Sequence, residues 1–245
     1  GILLRMAWIY ECDRGTRYLP DEYNYFVSTA ENAFRGKGFY PGFNDNPEFS
    51  QGGVLVPQPM EAFFIYIVYK LAGKITDPII PRLIQAFLGG IMIISGGIIG
   101  LLLGMPIAGI IIATLFAVYP EFVFQAEILQ MESNYLVGLA VLLASLTYWI
   151  KTDRKLWALI SAIMIGFLIL QRSITLALPV FLFAFSLYAL KKRKALRDAF
   201  LFLCVPMFVM APWSIRNLII YGEPVLVGSL DGIALYISNN IKLDP

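Results

Sequence analysis

The sequence predicts an all-α fold, a polytopic integral membrane helical bundle in which an external loop with interfacial helices follows the first membrane helix. Three observations lead there. Hydrophobic residues make up 58% of the 245 and charged residues only 15%, whereas an ordinary globular domain carries about 25% charged residues. Stretches without any charge recur along the chain, the longest from Leu83 to Pro120. Lys and Arg gather in two short runs directly against such stretches, "KTDRK" (151–155) and "KKRKALR" (191–197). Helices are the expected spanning form, because in hydrocarbon each backbone N–H and C=O must be satisfied within its own segment.

Composition also excludes several functions. A net charge of +2 is too small for a nucleic-acid footprint. Histidine is absent, which removes Ser-His-Asp and Cys-His machinery and the commonest general base. Acid–base work would fall to Asp or Glu, less readily to Lys, Tyr or Cys. Cys12 and Cys204 stand far apart and make neither a disulfide framework nor a zinc site.

In chain order, "GILLRMAWIY" (1–10) reads as the end of a first membrane helix, with no cleavage site to suggest a signal peptide. The Gly at position 1 and the ending "NNIKLDP" read as a piece of a longer protein. Residues 11–82 form the external loop. Within it, "YLPDEYNYFVSTAENAFRGKGFY" (18–40) carries an acid pair, Asp21-Glu22, a helical spacing through Tyr25 and Ala33, and a glycine-broken turn. "MEAFFIYIVYKLAG" (60–73), interrupted by Glu61 and Lys70, is about 14 residues, short of the ~20 that cross hydrocarbon. It reads as an interfacial helix with Tyr66 and Tyr69 at headgroup level; a deep, partly inserted helix is the alternative. "GMP" (104–106) divides the long apolar run into spans 83–103 and 106–120. Further spans are expected at 133–150, at 156–170 and 173–190 with Gln171-Arg172 at the hairpin tip, and at 199–215. Membrane helices thus occupy 83–215, and 216–245 is a further external segment.

Basic loops stay on the cytoplasmic side. With both basic runs placed there, 11–82, 121–132 and everything after 215 fall outside. Asp21, Glu22, Glu132, Arg82, Arg172 and Arg216 then collect at the external ends of spans or in the external loop. All but Arg172, alone at its hairpin tip, have a plain reading. Arg82 and Arg216 can snorkel to headgroups, the acids of 121–132 can face solvent, and Asp21 can cap a helix. Together they suggest a site: a carboxylate beside cationic donors can deprotonate a hydroxyl and stabilise an anionic leaving group.

The stretch "LPDEYNYFVSTAENAFRGKGF" resembles the first external loop of polyprenol-phosphate-dependent glycosyltransferases of the GT-C class, which includes the protein O-mannosyltransferases and bacterial aminoarabinose transferases. "VPQPMEAFFIYIVYKLAG", "QMESNYLVGL" and "APWSIRNLIIYGEPVLVGSLDGIALYISNN" are similar, in order, to later segments of that family. The resemblance spans nearly the whole chain and implies a GT-C-type bundle. It implies a membrane glycosyltransferase that moves a sugar from a polyprenyl-phosphate-linked donor to a hydroxyl of an acceptor protein, lipid or glycan on the external face of a prokaryotic-like plasma membrane. Asp21 matches the family's catalytic acid position, with Glu22 beside it, and Glu132 matches a second acidic position. Some relatives carry a Lys before a double proline that contacts the lipid phosphate; here the sequence is Val-Pro-Gln-Pro (56–59). Lys37, Arg82, Arg172 and Arg216 are the candidate replacements, and Asn217 joins the substrate-binding set through the Pro-Trp-x-x-Arg-Asn segment. No Asp-x-Asp occurs, the nearest sequence being Glu11-Cys12-Asp13; no cofactor is expected, and a divalent metal is left open. One carboxylate suffices for this chemistry, because a phosphate leaves without protonation, whereas glycosidases need two. Direct displacement would invert the anomeric centre. Two rival classes share the span pattern: a secondary transporter, which would show an internal repeat and broken half-helices, and a noncatalytic membrane scaffold subunit.

Overall fold

A computed structural model describes residues 1–13, 22–40, 58–189, 192–222 and 224–228, and no strand occurs among them. Helix α1 spans Ile2–Asp13. A π-helical stretch, Glu22–Val27, runs on into α2, Ser28–Phe34. Then come α3 (Pro59–Ala72), α4 (Ile79–Leu102), α5 (Pro106–Val118), α6 (Pro120–Phe124), α7 (Met131–Thr152) and α8 (Lys155–Gln171). A 3-10 turn, Ser173–Leu176, leads into α9 (Ala177–Ala189), and α10 covers Lys192–Tyr221.

Local chemistry explains most boundaries. Helix α3 opens with Pro59, whose missing N–H costs nothing in the first turn, and closes on Gly73 at φ 69°. The α4–α5 break falls at Gly104, φ 75°, followed by Met105 and Pro106. Pro120 likewise separates α5 from α6. The α7–α8 turn rests on Asp153 at φ 53°, a left-handed conformation that Asp tolerates better than most residues.

One element differs from the sequence expectation. Residues 192–197 are the first turns of α10, not a loop, and the helix runs through Pro206 and Pro212 to Tyr221. Lys, Arg, Ala and Leu are good helix formers, and proline is tolerated in helices packed among other helices. Of the six spans expected between 83 and 215, three are long and apolar enough to cross a membrane: Ile79–Leu102, Met131–Thr152 and Leu196–Tyr221. Helices α5 and α8, with 13 and 17 residues, reach roughly 20 and 26 Å at 1.5 Å per residue, less than the ~30 Å hydrocarbon core. The exterior is apolar: Phe87, Ile94, Ile107, Phe181 and Phe208 are all exposed.

The helices alternate in direction. Gly100 meets Gly109 and Gly96 meets Ile112, so α4 and α5 are antiparallel. Ser145 and Ser161 hydrogen-bond at 2.8 Å across the antiparallel α7–α8 pair. Trp149 Nε1 donates to Asp198 at 3.3 Å, which sets the start of α10 beside the end of α7. Helix α1 runs counter to α4, with Ile2 at Gly90 and Ile9 in a cluster with Ala86 and Ala126. One end of the bundle therefore carries residues 13, 79, 119–131, 172–176 and 221; the other carries 104, 151–155 and 192–197. This is the partition expected from the basic runs. With Cys12 and Cys204 replaced, cysteines at exposed Lys37 and Lys74 should react with an impermeant thiol reagent from one side of the membrane, and one at exposed Thr152 from the other. Equal labelling of Lys37→Cys and Thr152→Cys in sealed cells would refute it.

The glycines of α4 serve close packing. A methyl on Gly100 would overlap the Gly109 Cα and amide nitrogen, whereas at Gly97 the nearest atom is Ala113 Cβ at 4.0 Å. Gly100→Ala should cost about 1–3 kcal/mol by overpacking and Gly97→Ala close to nothing. Thermal unfolding in detergent followed by circular dichroism checks the contrast.

Candidate functional site

The site end is built around an irregular linker, 119–131, whose backbone must be satisfied by other helices. Phe116 O has no helical partner, because Tyr119 leaves the helix at ψ 125° and residue 120 is Pro. Arg5 of α1, 1% exposed, supplies the missing donor: Nη2 to Phe116 O at 2.7 Å and Nε to Phe122 O at 3.2 Å. Gln85 of α4 donates to Gln125 O at 3.0 Å and Ile128 O at 2.8 Å. Gln171 of α8 donates to Met131 O at 2.8 Å. Three polar side chains inside apolar helices thus hold the linker that delivers Glu132 to the first turn of α7.

Glu132 meets Arg172, the C-cap of α8, in an ion pair. The placement suits both helices, since an acid favours the N-terminal turn and a cation the C-terminal end. One turn deeper, Tyr135 Oη and Thr175 Oγ1 lie 3.1 Å apart, a second rung between the same segments. The side chains of Arg172 and Glu132 are 39% and 33% exposed. Among the described residues only Nη2 of Arg172 is bonded, so much of its five-donor fork faces outward. No acid adjoins Arg172 in sequence, since Glu132 lies 40 residues earlier.

Arg216 of α10 sits in an aromatic box, its guanidinium carbon 4.5 Å from the Trp213 ring centre, 5.1 Å from Tyr40 and 5.3 Å from Tyr221. It donates to Phe39 O and, at 2.9 Å, to Asn217 Oδ1. Asn32 Nδ2 donates to Tyr40 O at 2.9 Å, and Phe39 packs on Phe63 at 4.2 Å between centroids. Arg216 therefore fastens the far end of the 22–40 segment to α10. Asn217 is fully buried and donates to Val225 O and Val227 O. With Trp213 Nε1 on Val227 O at 2.8 Å and Ser214 Oγ on Leu226 O at 2.6 Å, it straps 224–228 back along the helix.

Of the remaining candidates, Lys37 is exposed in the glycine turn and Arg82 is buried on α4, one turn before Gln85. Asp21 lies outside the described residues, as does the side chain of Glu22, whose backbone begins the π-helical stretch. That stretch and α2 are anchored at the site end: Phe26, Val27 and Ala30 pack with Ile65 and Tyr69 of α3 and with Leu129, three residues before Glu132.

Glu61 was singled out by the sequence only as an interruption. It is 1% exposed, in the first turn of α3, and its Oε2 accepts from Asn134 Nδ2 at 2.9 Å; Asn134 also reaches Gln85 Oε1 at 3.5 Å. A lone acid in an apolar helix was the available signal, since a carboxylate is retained in such a helix only with partners. Among the described residues no three His, Cys, Asp or Glu side chains come close enough to hold a metal ion.

No family model matches the chain, and neither a curated protein nor a solved structure shows significant similarity to it.

Proposed function

We propose that this chain is the membrane-embedded part of a glycosyltransferase that moves a sugar from a polyprenyl-phosphate donor to an acceptor hydroxyl at the external face, with Asp21 as general base and inversion at the anomeric carbon. The observation that carries the reading is the Arg172–Glu132 pair, half open at the end of the bundle where α1 stops and where Phe26, Val27 and Ala30 pack. A partly exposed pair contributes only ~0–1 kcal/mol to stability, so holding the fold together is a weak reason for it. Arg172 has donors to spare for a second anion. A guanidinium binds phosphate oxygens in pairs and stays charged, which suits the phosphate as it departs. Glu132 keeps that guanidinium at the helix end.

The test is transfer by the purified full-length protein from a polyprenyl-phosphate sugar, followed by mass analysis of the acceptor. Arg172→Gln should raise the donor KM at least tenfold, and Arg172→Lys should recover part of it, since Lys lacks the fork. Wild-type donor affinity and turnover in Arg172→Gln would remove the phosphate assignment. Solute uptake into vesicles without sugar transfer would replace the enzyme by a transporter.

A further inference from the structure

The end opposite the site is rich in positive charge. Residues 151–155 and 191–197 hold three and five cations against one acid, Asp153. The α7–α8 turn presents Lys151, Arg154 and Lys155, all exposed. Trp149, just before this turn, is buried, donates to Asp198 and packs edge-on against Phe202 at 5.0 Å. Asp198, fully buried, also accepts from Arg197 Nε at 2.6 Å. This clamp pins the basic start of α10 beside the basic turn. The one buried acid at this end serves Arg197, and in the turn three cations stand against the single Asp153.

Aromatic rings lie next to these charges. Tyr148 stacks on Trp157 at 4.5 Å, and Tyr188, near the end of α9, is 93% exposed. Ile150, Leu156 and Leu196 are exposed immediately beside the cations. Exposed cations with aromatic rings and aliphatic surface within a turn of them are the profile of a membrane–water interface. A soluble polyanion would gain nothing from the aliphatic and aromatic part of that surface.

We propose that this end is a docking surface for anionic phospholipid headgroups, engaged by Lys151, Arg154, Lys155 and Arg197. Each cation near an anionic bilayer surface contributes about a fivefold preference, screened by salt. The surface requires a bilayer but no sugar transfer, so its test is independent of the enzymatic reading. The full-length protein is reconstituted in phosphatidylcholine with trace spin-labelled phosphatidylglycerol or spin-labelled phosphatidylcholine, and the motionally restricted fraction is read by electron paramagnetic resonance. The expected result is a several-fold preference for phosphatidylglycerol at low salt that falls as salt rises. The triple variant Lys151→Gln, Arg154→Gln, Lys155→Gln should lose most of it while keeping the wild-type helical circular dichroism, and Lys74→Gln, an exposed cation at the other end, should keep it. Equal restriction of the two lipids by the native protein, or an undiminished preference in the triple variant, would overturn the proposal.

Discussion

Asp21→Asn is expected to lower sugar-transfer turnover of the full-length protein by roughly 10²–10⁴-fold, the usual contribution of a positioned base, with little change in stability. The substitution separates two roles. Asn caps a helix about as well as Asp, and the segment after Asp21 is helical from Glu22 onward, so a capping Asp21 should be replaceable without loss. A base should not be, because the amide cannot take a proton from the acceptor hydroxyl. The chain contains no histidine to substitute. Glu22→Gln is the companion experiment. Consecutive helical residues point about 100° apart, so only one of the two acids faces the acceptor well and the two variants should differ sharply. Turnover with a polyprenyl-phosphate sugar is the measurement, and a near-wild-type rate in Asp21→Asn returns that residue to capping.

The parts of the fold legible in the sequence were those decided locally. Gly104 and Pro106 act on their own backbone, so the hairpin break was readable from three letters. The basic runs sort helix ends by charge alone, and the described ends follow that sorting. What the sequence did not show depends on register between distant segments. Glu132 and Arg172 were each marked as candidates, but their pairing needs α7 and α8 to be antiparallel with matched lengths. Asn217 joined the substrate-binding set through the resemblance of its Pro-Trp-x-x-Arg-Asn segment, and its side chain turns inward to the 225 and 227 carbonyls, a contact that depends on the chain folding back after Tyr221. Glu61 was hidden because its partners, Asn134 and through it Gln85, come from two other helices. The start of α10 was missed for a different reason: the clustered charge that marks a membrane boundary is carried by residues that also favour helix.

Arg5→Leu is expected to destabilise the protein by about 3 kcal/mol or more, and the reason lies in Pro120. Arg5 drew no attention in the sequence, where it reads as one charge in the tail of an apolar helix. In the structure it is 1% exposed and its guanidinium bonds two backbone carbonyls, Phe116 O at 2.7 Å and Phe122 O at 3.2 Å. Hydrogen bonds to charged groups contribute roughly 1.5–3 kcal/mol each, and a carbonyl left buried without a donor costs about 1–3 kcal/mol. Leucine fills much of the space but donates nothing. The dependence on proline gives a sharper test than the single variant. Pro120 lacks the amide and holds Tyr119 in the extended conformation, ψ 125°, so Pro120→Ala lets the helix run on through Tyr119 and offer that carbonyl a backbone donor. In the Pro120→Ala background, Arg5→Leu should cost less, by on the order of 1 kcal/mol, the worth of one recovered hydrogen bond; such coupling between touching groups is what a double-mutant cycle isolates. Thermal unfolding of the four proteins in one detergent, followed by helical circular dichroism, gives all four corners. Equal losses in both backgrounds would show that Arg5 does not stand in for the proline's missing N–H. Loss of the bond should also reach the site, because the linker that Arg5 secures leads into Glu132. In the surviving fraction of Arg5→Leu protein, the donor KM should rise as it does in Arg172→Gln, whereas Gly100→Ala, destabilised at the other end of the bundle, should leave it unchanged.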